Sequence, residues 1–315
     1  MPIPLVIDTD PGVDDMLALL VATGSPEIDL RAVTTTYGNV DLPTTTRNAH
    51  RIMRLAGRPD VPLVAGADRP LVHPYVSRTS DVHGDDGLGG MGHHLDDRPS
   101  ANSRAEPAPP RAIDAIADVV RSSSTPVTLA ALGPSTNAAL FLARYPDLAR
   151  QLDRIIMMGG AIAGGNITPV AEFNVASDPE ATQRVFSDDV PVWMVGLDVT
   201  HKALVDRAWM DSLRDRGPAA QTAMNVMQHY FDWAHAQGRD RATVHDAVVL
   251  AELIAPGTLH FDTADVTIET GFGPARGCTV TTRHPAGRHR VAVDVNADAA
   301  TTLIAERIAA VGTAA

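Results

Sequence analysis

The chain has 315 residues, 44% of them hydrophobic and 20% charged, a composition that excludes a disordered or fibrous protein. Its length suits two average domains or one large α/β domain, with a core that needs no disulfide or metal merely to fold. Lys and Arg number 26 against 38 Asp and Glu, a formal charge of −12, which argues against nucleic acid or an anionic membrane as main partner and leaves acid to spare for a cation.

In chain order, short apolar runs alternate with helix-period segments. Met1-Pro2-Ile3-Pro4 lacks the basic and apolar regions of a signal peptide. Residues 3–7 read as a strand stopped by Asp8, and 16–21 as the helix after it. A second strand at 30–36 stops at Tyr37-Gly38-Asn39, with a helix over 48–55. Residues 73–110 are rich in Pro, Gly, Ser, His and Asp and read as a long surface loop. The uncharged stretch 122–143 is too polar, and too broken by Gly133-Pro134, to span a membrane. It divides instead into a strand at 127–132 and a helix at 137–143. Strands at 154–158 and 190–197 follow. Continuous apolar strands separated by helices predict a mostly parallel central sheet with helices on both faces. Near the C-terminus, 265–270, 278–282 and 289–295 are β-rich and divided by Gly and Pro, which suits antiparallel additions, and 299–310 closes the chain as a helix. No repeat or clear linker divides the chain, so residues 1–315 are expected to form a single domain. The one cysteine, Cys278, permits no intrachain disulfide and fits a reducing, cytoplasmic setting.

The densest chemical signal is Asp8-Thr9-Asp10-Pro11-Gly12-Val13-Asp14-Asp15, between the first strand and the first helix. In open α/β sheets, ligands bind at such carboxyl ends of strands. Pro11 suits the first helical turn, Gly12 allows close backbone approach, and Asp14 and Asp15 would face the positive end of the helix dipole. Two carboxylates about 5 Å apart repel by roughly 3 kcal/mol at an effective dielectric of 20, so such a cluster either raises its pKa values or takes a cation. All-oxygen ligation favours Ca2+ or Mg2+ over Zn2+. A solvated acidic helix cap is the plain alternative.

This segment resembles the nucleoside hydrolases of the inosine–uridine-preferring type. The resemblance continues in order through Thr36-Tyr37-Gly38-Asn39, His83-Gly84-Asp85-Asp86-Gly87-Leu88, Leu132-Gly133-Pro134-Ser135-Thr136-Asn137 and Met157-Met158-Gly159-Gly160. It then takes in Asn166, Glu172-Phe173-Asn174, Asp178-Pro179-Glu180-Ala181, Leu197-Asp198-Val199-Thr200-His201 and His245-Asp246. The resemblance implies that family's α/β fold and Ca2+-dependent hydrolysis of ribonucleosides to ribose and free base. It also implies a small-molecule ribonucleoside as partner, and a homodimer or homotetramer. By position it implies Asp10, Asp15, Asp246 and the Leu132 carbonyl as Ca2+ ligands, with Asp8 behind them. Many members carry Thr where this chain has Leu132, a change that a main-chain ligand tolerates. Asp14, Asn39, Asn166, Glu172 and Asn174 resemble the groups that hold the ribose hydroxyls and the metal's surroundings. His83 together with His245 resembles members acting on pyrimidine and mixed nucleosides.

The residue types suit that chemistry. Bound Ca2+ can orient a water and hold the 2′- and 3′-hydroxyls, and Asp10 could take the proton from that water. Carboxylates and amides around the sugar favour an oxocarbenium-like transition state. His245, tied to Asp246 by sequence, suits protonation of the leaving base, with His83 as a second group there. Tyr230 and Trp233 share one helical face. Tyr230 is the candidate aromatic wall for the base, although core packing explains the same pattern. Trp193 and Met157-Met158 read as core, and His93-His94 and Asp96-Asp97 as solvated loop. Two other functions compete. A haloacid-dehalogenase-like phosphohydrolase would use Asp8 as nucleophile, but residues 1–30 hold no Arg or Lys to meet a phosphate. A non-catalytic ribonucleoside-binding protein would keep the pocket, but has no need of Asp10 and His245.

Overall fold

Strand β1 (Ile3–Thr9) serves two cores at once. Leu5 and Ile7 point into one buried cluster and Val6 into the other, the alternation that a pleated strand imposes. With both faces covered, no polar position interrupts the run, and so it reads as continuously apolar. The computed structural model describes residues 1–74, 80–95 and 112–312. The Asp96-Asp97 pair and much of the expected loop at 73–110 lie outside them.

Among the described residues ten further strands follow: β2 (Ile28–Thr35), β3 (Leu63–Ala65), β4 (Val127–Ala131), β5 (Leu152–Met158), β6 (Val192–Val195), β7 (Leu204–Val205), β8 (Ala242–Thr243), β9 (Leu259–Ile268), β10 (Thr279–Arg283) and β11 (His289–Val295). Nine of the strands form one sheet in the order β10-β9-β11-β6-β5-β4-β1-β2-β3, and β7 pairs with β8 apart from it. Neighbours from β3 to β11 run parallel, while β9 is antiparallel to both β10 and β11. Helices Leu42–Leu55, Val13–Thr23, Pro218–Ala236, Asp246–Ile254 and Ala297–Ala310 cover one face. Helices Ala112–Ser122, Thr136–Arg144 and Pro179–Phe186 cover the other.

The chain winds from β1 out to β2 and β3, then returns to place β4 on the other side of β1. The strand order reverses between β1 and β4, whose register pairs Asp8 with Ala131. A crevice opens beyond the carboxyl ends of two such strands, because their connections leave in opposite directions. Asp10 and Leu132 stand at that point.

The first helix begins at Val13, with Gly12 as its cap, so Pro11 precedes the helix instead of opening it. The Gly12 amide donates to the Asp15 carboxylate at 2.9 Å and closes the turn there. Trp193 is only half-buried; the guanidiniums of Arg154 and Arg290 lie 3.9 and 4.5 Å from its ring centre. Met157 and Met158 are buried, and His93 and His94 are exposed. No described helix is long and apolar enough to cross a membrane.

Candidate active site

Two helix N-termini meet at the crevice. Helix Asp246–Ile254 packs along helix Val13–Thr23, which brings its first residue, Asp246, to Asp14 and Asp15 in the first turn of the other. Oxygens of these three buried carboxylates lie within 4.8 Å of one another. Both helix dipoles present their positive ends there. Asp14, expected among the groups around the ribose and the metal, stands with Asp15 and Asp246.

Asp10 approaches from the end of β1. Its Oδ2 accepts the Asn39 amide at 2.7 Å. A Cβ on Gly38 would lie 1.9 Å from that oxygen, and one on Gly133 would lie 2.3 Å from Oδ1. Glycine at both positions is what admits the carboxylate between two backbones. Asp15 accepts from the Thr9 hydroxyl, from the Asp10 amide at 3.3 Å, from Gly12 and from Asn39 Nδ2 at 3.0 Å. Asp8 lies behind, away from the cavity. Its Oδ1 accepts from Thr34 at 2.6 Å and Asn137 at 2.8 Å, and its buried Oδ2 has no partner. That placement removes Asp8 as the nucleophile of a phosphohydrolase.

Burial is the largest cause raising Asp10, Asp14, Asp15 and Asp246 above the ordinary carboxylate range, and neighbouring acids raise Asp10, Asp15 and Asp246 further. Two charges 4.8 Å apart repel by about 3 kcal/mol at an effective dielectric of 20. The cluster holds only as protonated acids or around a cation. Three clustered carboxylates, with Asp10 and Leu132 lining the same cavity, make an all-oxygen donor set that fits a hard divalent ion such as Ca2+ or Mg2+.

The cluster floors a cavity of about 430 Å³ lined by Asp10, Asp14, Leu132 and Asp246 below, a size that suits a small organic ligand. Asn39, Asn166, Glu172 and Asn174 form a polar side. Glu172 is buried and accepts the amides of Gly160, Asn174 and Val175 at 2.9, 2.9 and 3.1 Å. Asn174 Nδ2 donates to the carbonyls of Leu132 at 2.7 Å and Met158 at 3.1 Å. Asn166 is exposed at the rim, where its Oδ1 accepts the Phe173 amide at 2.9 Å.

Another part of the lining is aromatic and nitrogenous. Tyr230 is buried and stacks on Trp233 with ring centres 5.7 Å apart. His83 Nδ1 accepts the Val13 amide at 3.1 Å, so the neutral ring carries its proton on Nε2. Burial presses His83 down to about 4. His245 Nδ1 lies 2.9 Å from the Thr200 hydroxyl, and burial, reinforced by His201, presses it down to about 3. Both rings are neutral at pH 7. His201, Trp233 and Arg239 also line the cavity. His201 ends a motif that carried the resemblance. Arg239 stands in a polar turn with no local signal to mark it.

A buried carboxylate cluster, polar amide and carboxylate side chains and an aromatic pair thus line one cavity. The family model of the inosine-uridine preferring nucleoside hydrolases matches residues 5–302, and the chain belongs to that family, whose enzymes act on N-glycosyl bonds. It is 38% identical over 320 residues to the pyrimidine-specific ribonucleoside hydrolase RihA of Klebsiella pneumoniae, covering 98% of this chain and 99% of that one. Its identity to the protein of the same name from Photobacterium profundum is 38% over 314 residues, 97% and 98% of the two chains. Among solved structures, a plant nucleoside hydrolase superposes with a TM-score of 0.88 at 30% identity, over 98% of this chain and 99% of that one. A purine-preferring ribonucleoside hydrolase from Gardnerella vaginalis gives 0.89 at 29%, over 99% and 100%.

Proposed function

We propose that this protein hydrolyses the N-glycosidic bond of pyrimidine ribonucleosides in a Ca2+-dependent reaction, giving ribose and free base. Residues 1–315 would act as one domain, in a cytoplasmic homodimer or homotetramer. The observation that carries the reading is the convergence of Asp14, Asp15 and Asp246 within 4.8 Å, beside Asp10 and under a cavity of nucleoside size. The RihA relatives, named for pyrimidine nucleosides, support the choice of base.

Asp10, Asp15, Asp246 and the Leu132 carbonyl would hold the ion, with Asp14 beside them. When bound, a divalent cation supplies Lewis-acid activation of water and a grip on vicinal hydroxyls. Asp10, in its ionised form, takes a proton from the attacking water. Asp14, Asn39, Asn166, Glu172 and Asn174 hold the ribose hydroxyls and fix C1′ against that water. Positive charge grows on the ribose as its bond to the base nitrogen breaks, and the buried carboxylates favour that charge. Tyr230 packs against the base. His245, neutral and held at Nδ1 by Thr200, offers the leaving base a hydrogen bond from Nε2–H in place of the expected proton transfer, and His83 Nε2–H is a second hydrogen-bond donor.

Incubation of the chelated protein with uridine, inosine and a phosphate ester, with and without added Ca2+, tests the reading. Ribose release from uridine that depends on Ca2+ is expected. Phosphate release, or binding without products, would overturn it.

A further inference from the structure

Arg239 is the permanent cation among the described residues that line the cavity. Its guanidinium carbon lies 4.8 Å from the centre of the Trp233 ring, and Trp233 stacks in turn on Tyr230 at an interplanar angle of 29°. The series runs from buried Tyr230 through half-buried Trp233 to exposed Arg239. The acidic cluster and a stacked guanidinium therefore border the same cavity. The neighbouring Asp240 lies 3.8 Å from His235, and among the described residues no carboxylate forms an ion pair with Arg239. The charge still borders the cavity, which Arg239 lines together with His201 and His245. A guanidinium held on an aromatic face keeps several N–H donors for a flat, anionic partner.

The chemistry creates such a partner. When the N-glycosidic bond breaks, its electron pair goes to the base nitrogen. In uracil that pair spreads from N1 onto O2 and O4, so the base departs as an anion. Water supplies the oxygen that bonds to C1′, one of its protons passes to Asp10, and Asp10 then returns that proton, directly or through solvent, to the base anion. We propose that Arg239 stabilises the departing base anion and so selects ribonucleosides of acidic bases, uridine before cytidine. This rests on the hydrolase reading above. Cytosine is the weaker acid and gains less from a fixed cation.

The test uses Arg239→Gln and Arg239→Lys with uridine, 5-fluorouridine and cytidine, with kcat and KM determined separately. The 5-fluoro group makes the base more acidic with little change of shape. Loss of one preorganised charge partner costs about 10- to 100-fold in rate at a site this open. Arg239→Gln should therefore lower kcat on uridine by that factor, with KM changed less than about threefold. It should lower kcat on 5-fluorouridine by at least as much, and on cytidine by under about threefold. Arg239→Lys should recover most of the uridine rate, since it keeps the charge. An equal loss on all three substrates, or a loss confined to KM, overturns the assignment. So does a preference for uridine 5′-monophosphate that Arg239→Gln abolishes, because the cation would then serve a phosphate. If the native protein releases ribose from none of these nucleosides, the hydrolase reading fails, and this assignment fails with it.

Discussion

The Asn174 side-chain amide donates to the Leu132 carbonyl at 2.7 Å. That carbonyl oxygen is the main-chain ligand proposed above for the ion, which gives Asn174 a proposed role in orienting a ligand as well as in holding the sugar. Groups that orient metal ligands are typically worth 10- to 100-fold in affinity. Asn174→Ala should weaken Ca2+ binding by about that factor, read by calorimetric titration. An unchanged affinity would confine Asn174 to the sugar.

Asp10→Asn keeps the shape of the side chain and an oxygen for the Asn39 amide, which now lies 2.7 Å from Oδ2. The substitution removes the proton acceptor. Turnover of uridine should fall by about two to four orders of magnitude, with the circular dichroism spectrum and melting temperature little changed. Near-normal turnover would remove Asp10 from its role as base.

His245→Ala tests leaving-group assistance. Uridine needs help to lose its base, whereas a nitrophenyl riboside does not. The variant should lose about 100-fold or more on uridine and under about 10-fold on the nitrophenyl riboside. Equal losses would argue that His245 serves only to hold Thr200, its partner at 2.9 Å.

Asp8 makes stability depend on pH. Burial pushes its carboxyl from 3.8 up to about 7. Between those values the folded state keeps a proton that the unfolded state has lost, so stability falls as pH rises through that window. A shift of about three units corresponds to roughly 4 kcal/mol at most. Asp8→Asn removes the titration while its Oδ1 can still accept from Thr34 and Asn137. The urea midpoint of the native protein should fall more steeply between pH 4 and 7 than that of the variant. Identical pH profiles would contradict the assignment.

The central strands were legible because they are buried on both faces. Leu5, Val6 and Ile7 are all apolar since each faces a core. Strands β3, β7 and β8 are two or three residues long, too short to carry a period. The acidic turn was legible because its four carboxylates are close in sequence. Asp246 joins them through the packing of one helix along another, and only the resemblance pointed to it. Pro11 misled the helix start, because the Asp15 carboxylate fixes the first turn one residue after Gly12. Arg239 left no trace in the sequence, because its place on Trp233 comes from the turn after a helix and not from a motif.

Calorimetric titration of Ca2+ into the chelated protein tests the cage most directly. The account requires one ion per chain, with binding abolished by Asp15→Asn and by Asp246→Asn even though the two residues are far apart in sequence. Absence of binding to the native protein, or binding that survives both substitutions, would contradict it.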